Sequence, residues 1–146
     1  MAMLYTTAML TAIWPGGRPG HALVTTMAPF PSDSESAAGR GGRAEALVAG
    51  VFADAGWKVR RPPPGAGAPR ADLVVRRGSV SYAVEVRAAS EGRGDRLIPL
   101  WSQACLQAAH AAKRGQKPLA IVVAPRIAPR VADQVLRFAA EYAPDA

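Results

Sequence analysis

The 146-residue chain contains one cysteine, Cys105, and two histidines, His21 and His110. A single thiol excludes an internal disulfide framework and any cysteine-based metal site. Cys105 lies within a helical pattern, where it reads as a structural thiol; a nucleophile would need a base that no neighbouring pattern supplies. Two histidines this far apart support no histidine-based zinc site. Aromatic residues are only 6% of the chain, which speaks against a base-stacking platform for single strands. No stretch approaches the roughly 20 apolar residues of a membrane span. The segment Met1 to Trp14 is mildly apolar, but it lacks the Lys or Arg that precedes a signal-peptide core and is broken by Pro15, Gly16 and Gly17. Export is therefore not expected, and a cytoplasmic location is. No phosphate-cradling or dinucleotide-binding glycine motif follows a strand pattern.

What the chain does have is globular composition, with 49% hydrophobic and 20% charged residues, at a length suited to one domain. Its formal charge is +7 and its pI about 10.5. That excess favours a polyanion through steering and counterion release, which makes nucleic acid the first partner to test. A coding bias toward Ala, Gly, Pro and Arg would raise the arginine count equally well.

Residues 1–42 show neither helical nor strand periodicity and end in a Pro, Ser and Gly-rich run from Pro29 to Gly42. They are expected to be a disordered leader, or an extension upstream of a true start at Met27. From Arg43 the residues Ala44, Leu47, Val48, Val51, Phe52 and Ala55 fall on one helical face, with Gly56 as the stop. A short extended segment, Trp57 to Arg60, leads into a Pro and Gly-rich loop from Arg61 to Pro69. Two Val-rich runs follow, Asp72 to Arg77 and Val80 to Arg87, joined by Gly78 and Ser79, which suit a two-residue hairpin turn. Pro99 opens a helix to about Arg114, Leu119 to Ala124 is an apolar run of strand length, and Pro129 opens a last helix ending near Tyr142. The predicted order is α-β-β-β-α-β-α, an α/β domain over residues 43–146 with a central mixed sheet flanked by helices. The crossover between the last two strands is long enough to make them parallel. The chain ends just after its last helix, so a further edge strand is expected to be absent and the domain C-terminally incomplete.

With Gly78 and Ser79 in the turn, Arg77 pairs with Val80, and counting back puts Asp72 opposite Glu85. Directly opposed side chains share a face with Cβ atoms about 4.5–5.5 Å apart. Two carboxylates that close repel unless a proton or a cation lies between them. Magnesium suits the pair, since it commonly takes one or two protein carboxylates with water and phosphate. Glu85 and Arg87 alternate with Val84 and Val86, so the charged groups share one face and the valines the other. A solvent-facing strand carrying ordinary surface charges is the other reading of the same geometry.

The pattern Arg70-Ala71-Asp72, a hairpin, then Glu85-Val86-Arg87 resembles the restriction-endonuclease-like PD-(D/E)XK nucleases, in element order as well as in motif, over about Arg43 to Tyr142. Within that superfamily it is most similar to the branch of type IV restriction enzymes and Holliday-junction resolvases. The resemblance implies a metal-dependent DNA endonuclease with Asp72 and Glu85 as ligands of Mg or Mn. It also gives Glu45 a place, as the acidic residue that many members carry on the first helix. At 100° per residue Glu45 lies about 20° from Phe52, at the border of the apolar face. Gln103 matches a glutamine that several branches carry on the helix after the signature, here in a stripe with Gln107, His110 and Arg114 that also reads as a solvated face.

Two residues depart from the family pattern. Ala71 stands where the proline is expected, with Pro69 close by. Arg87 stands where the lysine is expected, and a guanidinium does not serve as a general base. Arg87 is left the role of holding phosphate or stabilising transition-state charge. The alternative is a catalytically inactive module of the same fold that binds nucleic acid or protein within a larger defence or regulatory protein. Arg60, Arg61, Arg70, Arg76 and Arg77, with Arg93 and Arg96, lie in loops and strand ends expected around the site, where they would grip a DNA backbone. A second copy of the chain and further domains of a longer protein are the other candidate partners; a membrane is not.

Overall fold

The structure, a computed structural model, describes residues 11–12, 21–26, 37–63, 69–125 and 127–142. In chain order they form β1 (Thr11–Ala12), β2 (His21–Thr26), α1 (Ala37–Asp54), β3 (Lys58–Arg60), β4 (Leu73–Arg77), β5 (Val80–Ala88), α2 (Gly94–Ala111), β6 (Lys117–Pro125) and α3 (Pro129–Tyr142). The strands make one mixed sheet in the order β1-β2-β6-β5-β4-β3. The three helices and strands β3 to β6 follow the expected α-β-β-β-α-β-α succession.

Local chemistry accounts for the element ends. Gly56 closes α1 at φ +87°, with its N–H on the Ala53 carbonyl and the Trp57 N–H on the Phe52 carbonyl, a Schellman stop that a left-handed glycine permits. Gly78, at φ +61°, opens the β4–β5 hairpin turn as the sequence pattern requires. The register runs from Arg77 opposite Val80 to Leu73 opposite Val84, so its next step sets Asp72 against Glu85. β5 and β6 pair in parallel, Tyr82 with Lys117 through Ala88 with Val123, joined by α2 as a crossover.

Alternation along the interior strands divides the core between two faces. On one, Leu73, Val75, Tyr82, Val84, Val86, Leu119, Ile121 and Val123 meet Ala44 and Val48 of α1. On the other, Ala120, Val122 and Ala124 meet Leu97, Trp101 and Ala104 of α2 and Val135 of α3. Ala111 of α2 meets Ala71, Val74 and Ala83. Burying both faces makes the buried stretch of β5, Tyr82 to Val86, an apolar run apart from one residue, Glu85.

Three boundaries differ from the sequence expectation. The first is the leader: His21–Thr26 is a strand, paired in parallel with β6 from His21 opposite Ala120 to Thr26 opposite Pro125, and Thr11–Ala12 pairs with it. The backbone of β6 offers hydrogen bonds on both sides, and the run Leu23 to Thr26 is rich enough in β-branched residues to take the second side. α1 also begins at Ala37 rather than at Arg43, running through Gly39, Gly41 and Gly42 despite their low propensity. The second difference is α2, which starts at Gly94, with Pro99 inside it, and ends at Ala111. Asp95 stands in its first turn, favourable to the helix dipole, and is held by Arg93 at 2.9 Å. The third is Asp72, which stands just outside β4. The candidate start at Met27 and positions 64–68 of the Pro/Gly loop lie outside the described residues. Among the described residues, no helix is long and apolar enough to cross a membrane.

Candidate active site

β5 is an interior strand, and alternation places Glu85 on the face shared with Ala83, which α2 covers. Glu85 is consequently buried, at 4% exposure, and among the described residues it is the buried charged group. This excludes the solvent-facing strand as an account of the motif. Transferring a carboxylate this far from water without compensation is costly, so its neighbours decide its state.

Those neighbours are Asp72, Arg87 and Glu45. Asp72 sits at the mouth of β4, where its Oδ2 accepts the Val86 N–H at 2.9 Å. A side-chain hydrogen bond joins Asp72 to Glu85, and another joins Asp72 to Glu45 on α1. The Arg87 Nη1 donates to Glu85 Oε2 at 3.3 Å and to its neighbour's Val86 carbonyl at 3.1 Å. The same nitrogen lies 3.8 Å from Asp72 Oδ2. A backbone amide, one guanidinium and three carboxyl groups thus converge where β4 begins and β5 ends.

Burial first, then the Asp72 charge and the hydrogen bond to it, push Glu85 up to about 8, with Arg87 pulling the other way. At neutral pH the protonated form therefore dominates, and its proton is shared between two opposed carboxylates. Glu45 is raised too, by burial and by Asp72, with Arg61 and Arg87 opposing. The structure thus answers the question the helix pattern left open: Glu45 turns toward the sheet and reaches Asp72.

Among the described residues, no group of three or more His, Cys, Asp or Glu side chains has the spacing to enclose a metal ion. A pair of opposed carboxylates sharing a proton is a different donor set, one in which a hard divalent cation replaces the proton and completes its shell with water. Asp72 and Glu85 are the residues that could hold such a cation, and Glu45 stands behind Asp72 as its hydrogen-bond partner.

Other expected residues fall elsewhere. Gln103 is exposed on the flank of α2, as are Gln107 and His110, because the buried line of that helix runs through Leu97, Trp101, Ala104, Ala108 and Ala111, and Arg114 is exposed in the turn that follows the helix. The structure does not bring Gln103 to the carboxylates. Arg61 acts on Glu45, and exposed Arg70 precedes Asp72 by two residues, so both stand at the site end of the sheet. Arg60 is exposed on β3 opposite Val74. Arg76 and Arg77 are not around the site: they flank the hairpin turn, four and five residues along from Asp72, or about 13–17 Å at 3.3 Å per residue. Arg93 is engaged by Glu91 and Asp95. Ala71, in the place of the family proline, is buried against Ala111 of α2. Cys105 is half-buried, and burial pushes its thiol up to about 12, which suits a packing role and not a nucleophile.

The sequence reading missed the capture of the Val86 N–H by Asp72. Its signal was an Asp at the first position of a strand whose partner continues, where a carboxylate replaces the lost backbone acceptor. Comparison with family models, with curated proteins and with solved structures gave no match to this chain.

Proposed function

We propose that this domain is a metal-dependent DNA endonuclease of the restriction-endonuclease-like kind, hydrolysing phosphodiester bonds at the Asp72–Glu85 pair. The observation that carries the reading is the convergence of Asp72, Glu85 and Glu45 with Arg87 at one end of the sheet, around a carboxylate buried on an interior strand. Retaining such a group is expensive for stability alone, and perturbed carboxylates of this kind concentrate at functional sites. A bound Mg or Mn would supply a hydroxide-generating Lewis acid held by the two carboxylates. The chain's own residues would do the rest. Asp72 is oriented by the Val86 N–H and by Glu45. Glu85, once it has released its proton, accepts from an attacking water. Arg87 holds one phosphate oxygen by charge-assisted hydrogen bonds.

The experiment is a nicking assay on supercoiled and branched DNA with Mg or Mn, comparing the wild type with Asp72→Ala. The expected result is cleavage that the substitution abolishes. Equal background in both, with the wild type folded, refutes the enzymatic reading.

One observation favours a second reading, a silent nucleic-acid-binding module. The Arg87 guanidinium already stands against both carboxyl groups, at 3.3 and 3.8 Å, and supplies a positive charge where a metal cation would otherwise be needed. Arg87→Lys separates the two: a gain of metal-dependent cleavage supports an intact nuclease site, and continued inactivity with DNA affinity retained supports the module.

A further inference from the structure

The end of the sheet opposite the carboxylates carries its own charge pattern. Lys58 opens β3 and is paired with Arg76, so two cations face each other directly across an antiparallel ladder, an arrangement that costs stability. Arg77 follows at the hairpin turn. Lys117 opens β6 in register with Tyr82, one row from Arg76 and Ser81. The tight turn before it, where Lys113 and Gln116 exchange hydrogen bonds, carries Lys113 and Arg114. All six are exposed, and among the described residues none of the six enters an ion pair. Among the described residues, the acid at this end is Asp54, on the last turn of α1 four residues before Lys58.

Across the sheet order β3-β4-β5-β6, the strand ends from Lys58 to Lys117 span three inter-strand steps, about 14 Å, with Lys58 and Arg76 at the rim of one face and Arg77 and Lys117 at the rim of the other. A lysine on edge strand β3 discourages edge-to-edge pairing, but β4 and β6 are interior strands and gain nothing of that kind from Arg76 or Lys117. The Arg76 Nε is spent on the Gly78 carbonyl at 3.1 Å, which holds the guanidinium at the turn.

From this geometry we infer that the hairpin end is a phosphate-backbone contact surface for duplex DNA, built by Lys58, Arg76, Arg77, Lys113, Arg114 and Lys117 and separate from the carboxylate site. The inference rests on the nucleic-acid reading above but not on catalysis. Arg60 and Arg61 on and after edge strand β3 connect this end to the carboxylates, so a backbone lying along that edge meets cations over its whole length. Such contacts fix orientation without reading sequence.

The test compares two double variants of equal charge change, Arg76→Gln/Lys117→Gln and Arg130→Gln/Arg137→Gln, the latter pair exposed on α3. Binding to a fluorescent duplex of about 30 base pairs is measured against salt, in EDTA, so the result stands whether or not the protein cuts. The first variant is expected to bind about tenfold or more weakly at 0.1 M salt, with a salt slope smaller by about 1.8, from roughly 0.9 per lost phosphate contact. The α3 variant is expected to keep wild-type binding. Arg76→Lys/Lys117→Arg, which keeps both charges, should also bind as wild type and guards against a loss caused by misfolding. Equal losses in the two Gln variants would mean that net charge alone drives binding, and would overturn the proposal. So would the absence of wild-type DNA binding at low salt, or tighter binding to anionic vesicles than to DNA.

Discussion

Replacing Glu85 by Gln keeps the shape of the buried side chain, leaves it able to hydrogen-bond Asp72, and removes its titration. Folding raises the Glu85 carboxyl from 4.5 to about 8. The native state therefore holds a proton that the unfolded chain releases anywhere between those values, and stability falls as pH rises through that window. The contribution is fully favourable below about 4.5 and is lost once pH passes about 8. At about 1.4 kcal/mol per pH unit, the penalty the wild type carries above pH 8 is about 5 kcal/mol, a large share of a small domain's stability. Because the Glu85 side chain is only 5% exposed, solvent screening removes little of this. Urea denaturation of both proteins at pH 4.5, 6.5 and 8.5, in EDTA, isolates the effect of this cluster, since titrations of groups away from Asp72 and Glu45 cancel in the difference. Glu85→Gln is expected to match the wild type or fall slightly below it at pH 4.5 and to exceed it by several kcal/mol at pH 8.5. A stability difference that does not change with pH would refute the buried, proton-sharing carboxylate.

The same network yields further expectations. Arg87→Gln removes the strongest charge that opposes the Glu85 shift, so the Glu85 midpoint should rise above about 8 in a carbon-detected NMR titration; a lower midpoint would contradict the guanidinium contact at 3.3 Å. Asp72→Asn removes the like charge and should bring that midpoint down, while Asp72→Ala, which also orphans the Val86 N–H, should cost a further 1–3 kcal/mol or so in urea denaturation. At the proposed metal site magnesium would have to displace the Glu85 proton, so its affinity, followed calorimetrically, should rise between pH 6 and pH 8 in the wild type and lose most of that dependence in Glu85→Gln. Gly56→Ala places a Cβ at φ +87° with no neighbour in the way, so the cost is purely conformational, about 1 kcal/mol of stability, seen as a lowered midpoint of thermal unfolding.

Much of this was legible in local sequence. The Gly78-Ser79 turn set the hairpin register, and the register alone opposed Asp72 to Glu85, because pairing in an antiparallel ladder counts residue for residue from the turn. Gly56 and Pro129 marked helix ends through backbone restrictions that need no tertiary context. The length of the α2 crossover required β5 and β6 to be parallel. Three features depended on the assembled sheet. Strand β2 forms because β6 has a second side to pair, a partner 99 residues away in every pair of the register, which no local periodicity reveals. Gln103 stays exposed because alanines and Trp101 take the packed line of α2, and a helical stripe does not say which of its sides faces the sheet. The burial of Glu85 turns a motif into a strained, proton-sharing centre, and it required helices on both faces of β5. Sequence thus determined which carboxylates oppose each other; tertiary structure decided that one of them is dry and that Glu45 joins them, because burial and contact between elements are properties of the packed layers and not of the strand.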